Sequence, residues 1–178
     1  MIGSITLKDI PKGIKASAVL MCLGIVMLLN ACGWYMGAYT GDLRQNYIMM
    51  GMAVGCTALV VVLHEGLHGL FFRLFGGDVS FGVKWKTIFG PVFWASSSKL
   101  FPRVQSQTVA LAPQLLTIVM LVVAVQLSAT AQWLCLLMAG MNICGGAFDM
   151  YVAMRLRKFA RACLVADTRD GVQVFAPE

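Results

Sequence analysis

Four apolar stretches divide the chain, each long enough for a helix to cross a bilayer. They run from Ile14 to Tyr39, from Tyr47 to Phe75, from Thr108 to Leu127 and from Gln132 to Met154. A span needs about 20 apolar residues at a rise of about 1.5 Å each, so the pattern predicts four transmembrane helices. Only Ser128, Ala129, Thr130 and Ala131 separate the last two, which makes them an antiparallel pair. Between the second and third stretches the period changes. Asp78 to Lys86 alternates polar and apolar residues, Gly90-Pro91 signals a turn, and Val92 to Ala95 can return as a second strand. This predicts a β-hairpin, with Trp85 and Trp94 suited to a membrane interface. Ser96 to Ser98 reads as a flexible connection. Val172 to Phe175, after a turn-like Asp167 to Gly171, reads as a further short strand, as does Ser4 to Lys8. The expected fold class is an all-α membrane protein of four transmembrane helices. A small β-hairpin sits between helices 2 and 3, and the whole is one domain over residues 1–178.

Composition supports the membrane reading. Hydrophobic residues make up 59% of the chain and charged residues 12%, against about 25% charged in a soluble domain. The net charge of +6 could suggest a nucleic-acid partner, but the basic residues flank apolar runs and topology explains them better. Lys8, Lys12 and Lys15 precede the first span. Arg73, Lys84, Lys86, Lys99 and Arg103 follow the second, and Arg155, Arg157, Lys158, Arg161 and Arg169 follow the fourth. Arg44 alone lies in the first loop, and the third loop has none, a separation of thirteen against one. The positive-inside rule then puts both termini and the hairpin on the cytoplasmic side of a bacterial inner membrane. The expected partners are the lipid bilayer and a membrane-protein or peptide substrate, not nucleic acid. The six cysteines lie mostly in apolar runs without C-x-x-C spacing and read as small core hydrophobes. Leu29 to Cys32 loosely resembles a lipoprotein signal. Apolar character continues past it through Trp34 and Met36, so the first helix is expected to be retained.

The chemistry concentrates in the second stretch. Both histidines of the chain fall in His64-Glu65-Gly66-Leu67-His68, an H-E-x-x-H pattern. Positions i and i+4 share a helix face, so both imidazoles can point at one metal ion, with Glu65 able to act as general base. Ionisable groups at membrane depth are expensive, about 2.5–3.5 kcal/mol each on insertion scales, so three together imply a use. Zinc catalysis takes three protein ligands and an open position for water. Among the remaining acidic residues only Asp149 lies within a span. His68 lies eight residues before Gly76, about 12 Å, and Asp149 six before Arg155, about 9 Å. Both spans run toward the cytoplasm, so His64, His68 and Asp149 can converge on Zn²⁺. A carboxylate paired with Arg155 is the plainer alternative for Asp149. Asn142, two turns before Asp149, can donate to an oxyanion or make an interhelical hydrogen bond. Gly145 and Gly146 permit close helix packing, and Gln114 beside Pro113 can line the same interior.

The His64-to-Phe72 run, with Asn142-Ile143 and Asp149 in a later helix, resembles a compact bacterial family of zincin peptidases of unknown function. It is also similar to the site-2-protease clan of intramembrane metalloproteases. The Val165-to-Val174 tail resembles the ending of the compact family. The resemblance implies a membrane-embedded metalloendopeptidase that cleaves membrane-associated substrates through a metal-activated water. It also implies that the hairpin holds an unwound substrate segment by strand addition. The competing readings are a transporter for metal ions or protons and a catalytically inactive membrane binding module.

Overall fold

The computed structural model describes residues 1–6, 10–85, 92–168 and 171–176. In chain order the elements are β1 (Gly3–Thr6), α1 (Lys12–Tyr35), α2 (Leu43–Leu74), β2 (Ser80–Lys84), β3 (Val92–Ser96), β4 (Leu100–Pro102) and α3 (Arg103–Leu111). There follow α4 (Gln114–Ala124), α5 (Ala129–Gly145), α6 (Ala147–Leu156), β5 (Leu164–Thr168) and β6 (Gly171–Phe175). Three helices, Lys12–Tyr35, Leu43–Leu74 and Arg103–Ala124, are long and apolar enough to cross a membrane. Ala129–Gly145 with Ala147–Leu156 makes a fourth if that broken pair is one span. Their surfaces agree, since Leu20, Met27, Val54, Val62, Val122 and Val125 all stand exposed. Water does not tolerate apolar surface on this scale, whereas hydrocarbon does.

Two compact units make up the chain. One contains Lys12–Val62 and Gln114–Gly145. It is built from helices, with α5 packing on both α1 and α4. Its cores are Ala38, Met49, Trp133, Leu134 and Leu137, and a smaller group of Val60, Met120 and Ala139. Trp133 donates its indole N–H to the Leu29 carbonyl at 2.7 Å. The ring passes so close to Gly33 that a Cβ there would meet it at 2.6 Å.

The other unit contains Met1–Pro11, Leu63–Pro113 and Gly146–Glu178. An antiparallel four-stranded sheet in the order β1-β6-β5-β4 buries Ile5, Val165, Val172 and Val174 against Val152 and Leu156 of α6. Gly171, at φ +136°, passes close to the Ile5 carbonyl where a side chain would not fit. The C-terminal end of α2 stops at Gly76, at φ +73°. Gly77 N–H donates to the Phe72 carbonyl and Gly76 N–H to that of Arg73, both at 2.9 Å, the paired bonds of a Schellman cap. The chain then turns into the hairpin of β2 and β3, in register from Ser80↔Ser96 to Lys84↔Val92. Phe81 lies where a side chain on Gly69 would stand, so the hairpin backs onto the helix that carries the histidine motif.

The base of the hairpin is clamped. Asp78 Oδ1 accepts from the Ser97 hydroxyl and from the Ser98 amide, both at 2.8 Å. These bonds hold its carboxyl down at about 2, below the ordinary carboxylate value of 3.8. The clamp is therefore complete above about pH 4 and is lost as pH falls toward 2. In Asp78→Ala the Ser98 amide should exchange hydrogen faster at neutral pH. Compared at the same pH, the two proteins should converge in Ser98 protection only on acidification. Equal rates at neutral pH would show the clamp to be idle.

Several expectations are corrected by these elements. Ser96 to Ser98 is an ordered clamp and not a flexible connection, because Ser97 is buried and bonded. The third helical stretch starts at Arg103 and breaks at Ala112-Pro113, where proline supplies no N–H. The fourth breaks at Gly146. β4 and β5 were not anticipated, and Asp167 belongs to a strand because it pairs with Val172. The chain is predominantly helical, yet it carries a four-stranded sheet beside the expected hairpin. The Gly90-Pro91 turn and the Lys8 end of the first strand lie outside the described residues.

Candidate metal centre

The histidine motif lies near the C-terminal end of α2, inside the unit that also holds α3, α6 and the four-stranded sheet. Helical spacing puts His64 and His68 one turn apart on one face. Their rings stand 5.0 Å apart between centroids and nearly perpendicular, at 76°. Each residue is only 8% exposed. Asp149, in the first turn of α6, meets them both. Its Oδ2 lies 3.1 Å from His64 Nε2 and 3.5 Å from His68 Nε2. The three donor atoms fall within 4.8 Å of one another.

Backbone groups orient this set. His68 Nδ1–H donates to the Val109 carbonyl of α3 at 3.0 Å, which leaves Nε2, 3.5 Å from Asp149 Oδ2, as the ring's ligand atom. Metal-ligating histidines characteristically have their second nitrogen held in this way. The carbonyl is itself held in position by contacts between α3 and its surroundings. Gln107 Nε2 donates to the Ala153 carbonyl of α6 at 2.8 Å, and Arg103 donates to that of Phe159 at 2.6 Å. The Glu65 carboxylate accepts from the Ala95 N–H of β3, so the hairpin steers the general-base candidate.

Two imidazole nitrogens and one carboxylate oxygen form the donor set of His₂-carboxylate zinc hydrolases. The residues present therefore fit Zn²⁺. A pocket of about 130 Å³ opens beside them, lined by Glu65, His68 and Asp149 together with Trp94, Phe148 and Asp167. Asp167 was passed over in the sequence because it lies in no span. Burial pushes its carboxyl up to about 7 against the opposing pull of His68, while Asp149 and Glu65 push it the same way as burial. An acidic residue directly after the apolar run from Leu164 to Ala166 is the available signal.

Asn142 belongs to the helical unit and is 1% exposed. Its Nδ2 donates to Thr117 Oγ1 at 2.8 Å, linking α5 to α4. Gln114, also in that unit, accepts from Thr117 at 3.4 Å. The six cysteines are free thiols, and Cys144 sits beside Cys22 of α1.

No curated protein and no solved structure matches the chain. A family model described as "Putative zincin peptidase" matches residues 57–164, well over half of the sequence. The matched segment begins seven residues before His64 and runs past Asp149 into β5. The chain belongs to this zincin peptidase family.

Proposed function

We propose that the protein is a zinc-dependent intramembrane endopeptidase, similar in chemistry to the site-2 proteases. Its substrates are membrane-associated proteins or peptides. The observation that carries the reading is the convergence of His64 Nε2, His68 Nε2 and Asp149 Oδ2, with His68 and Asp149 lining one pocket together with Glu65. These three side chains would hold the metal. When bound, Zn²⁺ supplies a Lewis acid that polarises the scissile carbonyl and lowers the pKa of water. Glu65 takes a proton from the attacking water on its carboxylate oxygen and returns it to the leaving amine nitrogen. His68 keeps its Nδ1 proton on the Val109 carbonyl throughout, so its Nε2 remains a donor. Asn142 is assigned to the α4–α5 hydrogen bond, on the strength of its bond to Thr117.

A helical substrate hides its peptide bonds in its own hydrogen bonds and must be extended before attack. β3 pairs only with β2 in a two-stranded sheet, so among the described residues its other edge has no strand partner. That edge runs past Glu65, with Ala95 bonded to it, and can hold an extended segment by strand addition. Four spans, with the hairpin and both ends of the sequence on the cytoplasmic side of the cytoplasmic membrane, accord with thirteen basic residues against one.

The test uses the protein in liposomes with a single-span substrate whose cytoplasmic end is rich in lysine and arginine. Cleavage should appear with zinc, vanish with a chelator and return on zinc addition. Cleavage indifferent to the chelator would remove the metal from the mechanism.

A further inference from the structure

Asp167 is an acidic side chain of the pocket for which the proposed chemistry has no use. β4 pairs with Leu164, Val165 and Ala166 only, so β5 runs on past the end of β4 at Asp167 and Thr168. On the other side Asp167 pairs with Val172 of β6, which fixes it in the sheet. It lines the same pocket as Glu65, His68 and Asp149. Among the described residues the charged groups that face it are these three, with the Thr168 N–H hydrogen-bonded to its carboxylate. Among the described residues no lysine or arginine forms an ion pair with it. Lys99 and Arg103, which flank β4, are bonded to the carbonyls of Phe75 and Phe159.

A carboxylate drawn partly out of water without a counter-charge is unfavourable. A divalent ion at the histidines is balanced by Asp149 and Glu65, which leaves Asp167 without a matching charge among the described residues. We infer that Asp167 is the specificity residue of the site and receives a cationic group, ammonium or guanidinium, from the peptide substrate. The inference rests on the peptidase reading. Part of the pocket wall suits the stem of such a group. Val109, Phe148, Val152 and Val172 line it, an apolar wall along which a lysine or arginine stem packs while its head reaches the carboxylate. Membrane proteins carry lysine and arginine just inside the cytoplasmic boundary, so a substrate entering from that side brings the required charge. A free peptide α-amino group offers the same chemistry.

The test is binding, measured on the full chain in detergent with zinc added. Glu65→Gln serves as background so that peptides persist. Fluorescence anisotropy compares three peptides labelled at the C-terminus: N-acetylated with lysine, N-acetylated with norleucine in its place, and the norleucine peptide with a free amine. A charge-assisted pair predicts about tenfold tighter binding of a cationic peptide over the acetylated norleucine one. Gain with lysine identifies a side-chain subsite, and gain with the free amine identifies an N-terminal one. Either supports the inference if Asp167→Asn brings the ratio below about twofold while norleucine binding and zinc content stay unchanged, and Asp167→Glu retains a preference. No cationic preference, or one that survives Asp167→Asn, overturns it, as does equal loss of all three peptides. If the cationic preference is found but wild-type protein cleaves none of the peptides, the subsite stands and the peptidase reading falls.

Discussion

The Glu65→Gln protein keeps its zinc and loses peptide hydrolysis by about 10²–10⁴-fold, the range that general acid–base catalysis supplies. Glutamine matches the shape of Glu65 and can still bond near the Ala95 N–H, but it cannot accept and return a proton. The imidazoles and Asp149 are untouched by the change, because Glu65 is not among the three converging donors. The expected kinetic signature is a fall in kcat with KM and metal content preserved. A transporter that used the same cluster would show ion flux in liposomes whether or not Glu65 could carry a proton to an amine. Cleavage at the wild-type rate by Glu65→Gln would sink the assigned role of the base.

The second large effect falls on the metal itself. Asp149→Ala should weaken zinc binding by more than about 100-fold, the upper end of what loss of a merely supporting contact costs. Its Oδ2 lies 3.1 and 3.5 Å from the two imidazole nitrogens, where one ion can take all three. Were Asp149 only a partner for Arg155, zinc affinity would survive the change and helix stability alone would suffer. Competition with a fluorescent zinc chelator separates the outcomes, and circular dichroism confirms that the helices persist. Asp149→Glu should recover part of the affinity, since it restores a carboxylate on a longer arm.

The sequence carried the site better than it carried the sheet, for a physical reason. His64, Glu65 and His68 are local, and helical periodicity alone puts the two imidazoles on one face. Asp149 lies 85 residues from His64, yet depth within two spans that the basic residues orient alike made their meeting foreseeable. What escaped was chemistry borne by backbone. The Val109 carbonyl on His68 and the Ala95 N–H on Glu65 leave no mark in residue type. Asp167 escaped because Asp-Thr-Arg-Asp-Gly has the composition of a turn. Its strand pairing with Val172 is a register relation that composition does not encode. Pro113 and Gly146 were visible, but unbroken hydropathy on either side hid the helix breaks there. The order of the Ser96–Ser98 run is hidden for a similar reason, since it comes from Asp78, about twenty residues earlier.

X-ray absorption at the zinc edge, on the wild-type protein in a lipid environment, tests the central claim most directly. One zinc per chain is expected, with nearest neighbours of imidazole nitrogens and oxygens at about 2.0–2.1 Å and the scattering pattern of two histidines. Absence of stoichiometric zinc, or sulfur neighbours at about 2.3 Å from the cysteines, would contradict it.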